Sequence, residues 1–221
     1  VVLIPRLSYY INKGLKELYS STAQKSIHFI YFLSFPMTAF IIALAPGIIR
    51  VLGGTQFAPA VITLRIAALV VPVIGFTNFL GQQVFMANGE EKKLFVSTLI
   101  AAPFSVVANA VLARYWARNG TAFAVLLAEI VVLLVQLRMA RRDYLLFSLF
   151  DRRSIQYLTS AAVTGIALWG ASTAFASLIV HFAVLFPCCL ATYFGSLILV
   201  GDPLAIEILS LFSRVVPHRR R

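Results

Sequence analysis

The chain has 221 residues, is 60% hydrophobic and only 12% charged, yet carries a formal net charge of +11. Disorder needs the reverse balance of low hydrophobicity and high charge, a soluble domain of this size cannot hide so much apolar surface, and a nucleic-acid partner would explain the charge but not the rest. An integral membrane protein whose few charges lie in its loops satisfies all three.

The opening apolar run meets Pro5 and Arg6 and reads as the tail of a helix, with 1–27 forming a cytoplasmic loop behind a helix that the chain lacks. Six apolar spans follow, at 28–49, 62–87, 94–116, 121–140, 155–179 and 180–200. Each is close to the length that crosses a bilayer, and in lipid such a span must be helical so that its backbone groups bond internally. The expected fold is therefore an all-α, polytopic membrane bundle of six transmembrane helices. Residues 28–142 form a four-helix part, 143–200 a further helix pair, and 201–221 a tail. In that tail Asp202 can N-cap a helix with Pro203 at its first position. Leu204, Ile208, Leu211, Phe212 and Val215 share one face, which suits an interfacial helix or a plain basic stop signal.

The polar residues inside these spans are the candidate functional groups, because polar atoms in lipid face protein or a wetted cavity. Arg65, early in the second span, either lines a cavity and meets an anion such as a phosphate or snorkels to the surface. Asn78 and Gln82 lie one turn apart on the same span, and Thr98, Ser105 and Asn109 form a stripe on the third. These are either packing contacts or a cavity wall for sugar hydroxyls. Glu129 is the only acidic residue in any span. At 1.5 Å per residue it sits roughly 12 Å into the fourth, near the bilayer middle, with Gln136 on its face. It is either a carboxylate coupled to H+ or Na+ or a neutral hydrogen-bonded clamp. Pro36, Pro72, Pro103 and Pro187 each interrupt a span and can bend it.

Basic residues alternate in density between successive loops. Arg6, Lys13, Lys16, Lys25, Lys92, Lys93, Arg138 and the residues that follow it to Arg153, and the Arg214–Arg221 end fall on one side. Arg50, Arg114 and Arg118 fall on the other. The positive-inside rule then places both ends of the chain, the C-terminus included, in the cytoplasm. The adjacent Cys188 and Cys189 lie in an apolar run, and His28, His181 and His218 are scattered. No metal, nucleotide or hydrolase signature is present, so no cofactor, metal or catalytic residue is expected.

Several local phrases together resemble one superfamily. Ile4-Pro5-Arg6-Leu7-Ser8, Gly53 to Ala60 with Leu64-Arg65-Ile66, Phe85 to Lys92, and Asn119 through Ala124 to Glu129 are similar in order and spacing to phrases of the multidrug/oligosaccharidyl-lipid/polysaccharide flippases. The nearest branch is the bacterial polysaccharide (O-antigen type) flippases. The resemblance implies the C-terminal lobe of a MATE-like transporter in the bacterial cytoplasmic membrane, acting by alternating access with an N-terminal lobe outside this chain. It implies no enzyme activity, an undecaprenyl-diphosphate-linked oligosaccharide as substrate, and no nucleic-acid partner. Within it, Arg65 and Glu129 carry over to the cavity. A cation-coupled multidrug extruder and a non-transporting membrane scaffold are the competing readings.

Overall fold

The computed structural model describes residues 3–140, 151–174, 186–199 and 201–206, and every regular element in them is helical. Helix α1 (Leu3–Asn12) leads through a short turn into α2 (Lys16–Gly53). A single 3-10 turn (Thr55–Phe57) precedes α3 (Ala60–Ala68) and α4 (Val70–Asn78). Helix α4 continues into a π-helical segment (Phe79–Phe85) and a 3-10 turn (Met86–Asn88). Helices α5 (Glu91–Ala140), α6 (Arg152–Ala174) and α7 (Phe186–Leu199) complete the described chain. The all-α membrane bundle expected from the sequence is thus the observed architecture. The junctions at 143–150 and 175–185, and the tail from Glu207 to Arg221, lie outside the described residues.

Three helical stretches, Lys16–Gly53, Ala60–Asn88 and Glu91–Ala140, are long and apolar enough to cross a bilayer. The third would extend about 75 Å if straight, more than twice the hydrocarbon thickness. It doubles back instead, because Ser97 and Gln136 sit 3.3 Å apart across the fold. The reversal is at Ala117, whose φ of 46° departs from helical geometry. Just beyond it, Gly120 lies against the Leu112 carbonyl, where a Cβ would overlap backbone. The spans at 94–116 and 121–140 are the two arms of this hairpin.

Two boundaries differ from the sequence expectation. Residues 1–27 are helical over most of their length rather than a loop. Tyr19, Ala23, Ile27 and Tyr31 are buried at four-residue spacing on the early turns of α2. Charged residues on the other face conceal that stripe from any count of overall apolarity. The span at 62–87 lies in one helical stretch, Ala60–Asn88, whose α-helical bonding is interrupted at Leu69 and gives way to π-helical bonding at Phe79.

Three prolines in the described helices have a common consequence. A proline has no N–H, so the carbonyl four residues earlier loses its helical partner. Pro36 frees the Phe32 carbonyl, which accepts from the Tyr193 hydroxyl of α7 at 3.0 Å. Pro46 frees the Ile42 carbonyl, which accepts from Arg65 Nε of α3 at 3.1 Å. Pro72 lies in the first turn of α4, and the Ala68 carbonyl before it accepts from the Thr38 hydroxyl of α2 at 3.2 Å. Neighbouring helices therefore satisfy what each ring exposes, as a membrane interior requires.

Around these clamps α2 forms the spine of the main core. Tyr31 stacks on Phe35 and meets Phe76 of α4 edge-on, with ring centroids 4.8 and 4.9 Å apart. Phe32 packs against Tyr157, Tyr193 and Phe194 of α6 and α7. Small residues let the backbones close up: Gly75 faces Ile30, and Gly165 of α6 faces Ala39. Lipid offers no hydrophobic drive between helices, so such contacts and interhelical hydrogen bonds hold the bundle.

The proline account predicts a coupling. Arg65→Met should lower thermal stability in detergent by about 1–2 kcal/mol. In a Pro46→Ala background, where residue 46 regains an N–H for the Ile42 carbonyl, the same change should cost less than half as much. Equal losses in both backgrounds would show that Arg65 does not act through that carbonyl.

Candidate functional site

The five residues singled out in the sequence are distributed over four hydrogen-bonded settings. Glu129, half-buried on the second arm of α5, accepts through Oε2 from the buried Thr77 hydroxyl of α4 at 3.4 Å. Asn78, the next residue along α4, points to the exposed side and accepts from Gln82 Nε2 at 3.4 Å. Gln82 belongs to the π-helical segment, a local unwinding that recurs at functional sites. Asn109 accepts from Thr121 at 3.4 Å across the two arms of the α5 hairpin. Near the same end Thr63 donates to Asn119 at 2.6 Å.

Arg65 is held on the Ile42 carbonyl and lines a cavity of about 380 Å³ with Ala39, Ala43, Gly165, Ile166 and Trp169. Its Nε is committed to the clamp, while the cavity around it is otherwise apolar. Among the described residues, then, hydrogen bonds join Asn78 to Gln82 and tie Arg65, Asn109 and Glu129 each to a different partner. Gln136 has left Glu129 for Ser97: it is 1% exposed and donates to the Ser97 hydroxyl across the hairpin. No group of three or more His, Cys, Asp or Glu side chains that could hold a metal occurs among the described residues.

A second polar network sits at the opposite end of the bundle and was not read from the sequence. His28 of α2, 4% exposed, pairs through Nε2 with Asp151 Oδ2 at 2.8 Å, and Gln24 donates to the same oxygen at 3.4 Å. The other oxygen, Asp151 Oδ1, accepts from the Ser154 N–H and hydroxyl, both at 2.9 Å, and so caps the start of α6. One carboxylate thereby begins α6 and fastens it to α2. Asp202 repeats the device. Its Oδ1 accepts from the Leu204 and Ala205 N–H groups at 3.0 and 3.1 Å, the N-cap read from the sequence. Its Oδ2 accepts from the buried Tyr157 hydroxyl at 2.7 Å. The Asp151-x-x-Ser154 spacing was an available signal, since a short acidic residue before an apolar helix is a capping pattern. The His28 partner was not, because 123 residues separate the pair.

Burial pushes the Asp151 carboxyl up, but hydrogen bonds from Ser154 and the His28 pairing outweigh it and hold it below its ordinary range. This end also gathers the charge. Arg6 on α1, Lys13 in the turn after it, Lys16 and Lys25 on α2, Lys92 and Lys93 at the start of α5, and Arg152 and Arg153 at the start of α6 lie together, since α1 packs on the Met86–Asn88 turn and His28 holds the start of α6. Arg50, Arg114 and Arg118 lie toward the far end, near the Thr63–Asn119 bond.

A family model described as lipid II flippase MurJ matches residues 1–191. Among solved structures, one titled "Lipid II flippase MurJ, inward closed conformation" aligns with a TM-score of 0.74 at 15% identity. The alignment covers 91% of this chain and 43% of that one, a likeness of fold in which this chain spans less than half of its relative's length. No curated protein sequence matches.

The Asp151 network has a pH signature. A carboxyl whose folded pKa is depressed contributes stability that is complete above its unfolded value, near 3.9, and is lost as pH falls through the folded value. Asp151→Ala should therefore lower the melting temperature at pH 7, by about 1–2 kcal/mol of stability, and the difference from the parent should shrink toward pH 3. A pH-independent difference would show that the loss comes from packing alone.

Proposed function

The chain belongs to the lipid II flippase MurJ family, within the multidrug/oligosaccharidyl-lipid/polysaccharide superfamily, and on that footing we propose that it forms part of a transporter that moves a lipid-linked precursor across the cytoplasmic membrane. The observation that carries the reading is the family match over residues 1–191. Its members are flippases, transporters rather than enzymes. The family's name favours lipid II, a peptidoglycan precursor, over the O-antigen unit that the sequence phrases implied.

In this proposal the chain is one lobe, and a second lobe completes the cavity; its 43% share of the related structure supports that division. The basic end faces the cytoplasm, in keeping with the positive-inside rule. Prolines within the helices, Pro36, Pro46 and Pro72, suit a lobe that rocks between two states, because side chains of neighbouring helices hold the carbonyls they free. The exposed Asn78–Gln82 amides would meet sugar hydroxyls. The terminal nitrogens of Arg65 would meet phosphate, and Asn109 would line the same path. Glu129 would be the coupling carboxylate, its Thr77 hydrogen bond positioning it for H+ or Na+.

Expression of the complete gene in cells depleted of their lipid II flippase tests the reading. Rescue from lysis is the expected result. Rescue of surface polysaccharide alone would return the substrate to the O-antigen class, and membrane-inserted protein that rescues neither would overturn transport of both. The coupling role has its own test. Glu129→Gln preserves an acceptor for Thr77, so stability should hold, while the pH or Na+ dependence of transport should disappear. An unchanged dependence would make Glu129 a clamp.

A further inference from the structure

Gly81 is the pivot of the π-helical segment. Its carbonyl accepts from the Met86 N–H, five residues on, where an α-helix would use the fourth. Both arms of α5 close over the face where its side chain would stand. A Cβ on Gly81 would lie 2.6 Å from Leu94 Cδ1 of the first arm and 3.3 Å from Gln136 Nε2 of the second. Gln136 is 1% exposed and donates to the fully buried Ser97 hydroxyl at 3.3 Å, so one side chain ties the two arms and rests on the π turn. Its carbonyl oxygen is buried with no hydrogen-bond partner. A half-satisfied buried amide is a poor source of stability, and an apolar side chain of similar size would cost less there. What Gln136 supplies is direction, because its bond to Ser97 fixes where the second arm meets the helix. Phe79 and Leu80, just before Gly81, are completely buried. Gln82, just after it, is exposed and bonded to Asn78. The helix thus passes from its sealed face to its open one at the residue that Gln136 touches.

We infer that Gln136 is a positioning residue for substrate recognition. Through Gly81 it sets the direction of the Gln82 amide, and with it the Asn78–Gln82 pair, toward the sugar of a lipid-linked precursor. Gln136 itself is sealed from solvent and does not touch the substrate. This role rests on the reading of Asn78 and Gln82 as sugar contacts. Ser97 shares it at one remove, since its hydroxyl holds the Gln136 amide in place.

The test measures binding by the complete protein in detergent of two probes, a polyprenyl-diphosphate-linked disaccharide and the same polyprenyl diphosphate without sugar. Gln136→Leu should weaken the sugar-bearing probe about tenfold, the worth of one misplaced hydrogen bond. It should leave the bare diphosphate unchanged and the melting temperature level or higher. Ser97→Ala frees Gln136 with little change of volume and should shift the ratio of the two affinities in the same direction; it decides the matter if Gln136→Leu does not fold. Asn78→Ala with Gln82→Ala separates this role from the reading beneath it. If that pair weakens only the sugar-bearing probe while Gln136→Leu and Ser97→Ala leave the ratio unchanged, the positioning role is overturned and the sugar contacts stand. If the pair itself leaves the ratio unchanged, the sugar contacts fall and the positioning role falls with them. Equal weakening of both probes by Gln136→Leu would reduce it to a packing residue and also overturn the inference.

Discussion

A backbone carbonyl in lipid must have a donor, and this one constraint explains how the helices of the bundle are tied together. An unsatisfied carbonyl there costs several kcal/mol. Pro36, Pro46 and Pro72 create three such carbonyls, and the structure answers each with a side chain from another helix: Tyr193, Arg65 and Thr38. A local defect in one helix thereby becomes a specific contact between two. It fixes α7 and α3 against α2, and α2 against the α3–α4 break, in directions that apolar packing alone would leave free to slide.

The same economy appears at the basic end, where two aspartates each serve a helix terminus and an interhelical partner. Asp151 caps α6 and holds His28, and Asp202 caps the turn that begins at Pro203 and holds Tyr157. The ring of Tyr157 lies 6.1 Å from His28, so the two capping devices meet across one aromatic side chain. Freed carbonyls in the spans and exposed N–H groups at the helix starts are opposite forms of the same backbone problem. The carbonyls are answered by side chains from sequence-distant helices, and the N–H groups by an aspartate two or three residues away that also holds a distant partner.

Arg65 and Glu129 illustrate how these structural demands overlap with the proposed transport. Each is a costly polar group in an apolar setting, and each has a structural partner, the Ile42 carbonyl and the Thr77 hydroxyl. Neither partner exhausts its hydrogen-bonding capacity: a guanidinium has five donors and a carboxylate two oxygens. A group that positions helices can therefore also meet a ligand, and a change in one contact would be felt at the other.

The sequence by itself determined the membrane class, the helical fold, the location of most spans, the asymmetry of charge and the Asp202 cap. Each follows from local composition or from spacing within a few residues, which physics constrains directly in lipid and at helix ends. It also marked Pro36 and Pro72 as prolines inside spans, whose rings free the Phe32 and Ala68 carbonyls. What it left undecided were the partners. That Tyr193 serves Phe32, that Asp151 serves His28, and that Gln136 bonds Ser97 rather than sharing the setting of Glu129 depend on contacts between residues 161, 123 and 39 positions apart. The early turns of α2 were missed because their buried stripe is masked by charges on the opposite face. The tertiary structure decided these points because a freed carbonyl or a buried carboxylate specifies the kind of partner it needs, and only the packing of helices determines which side chain arrives.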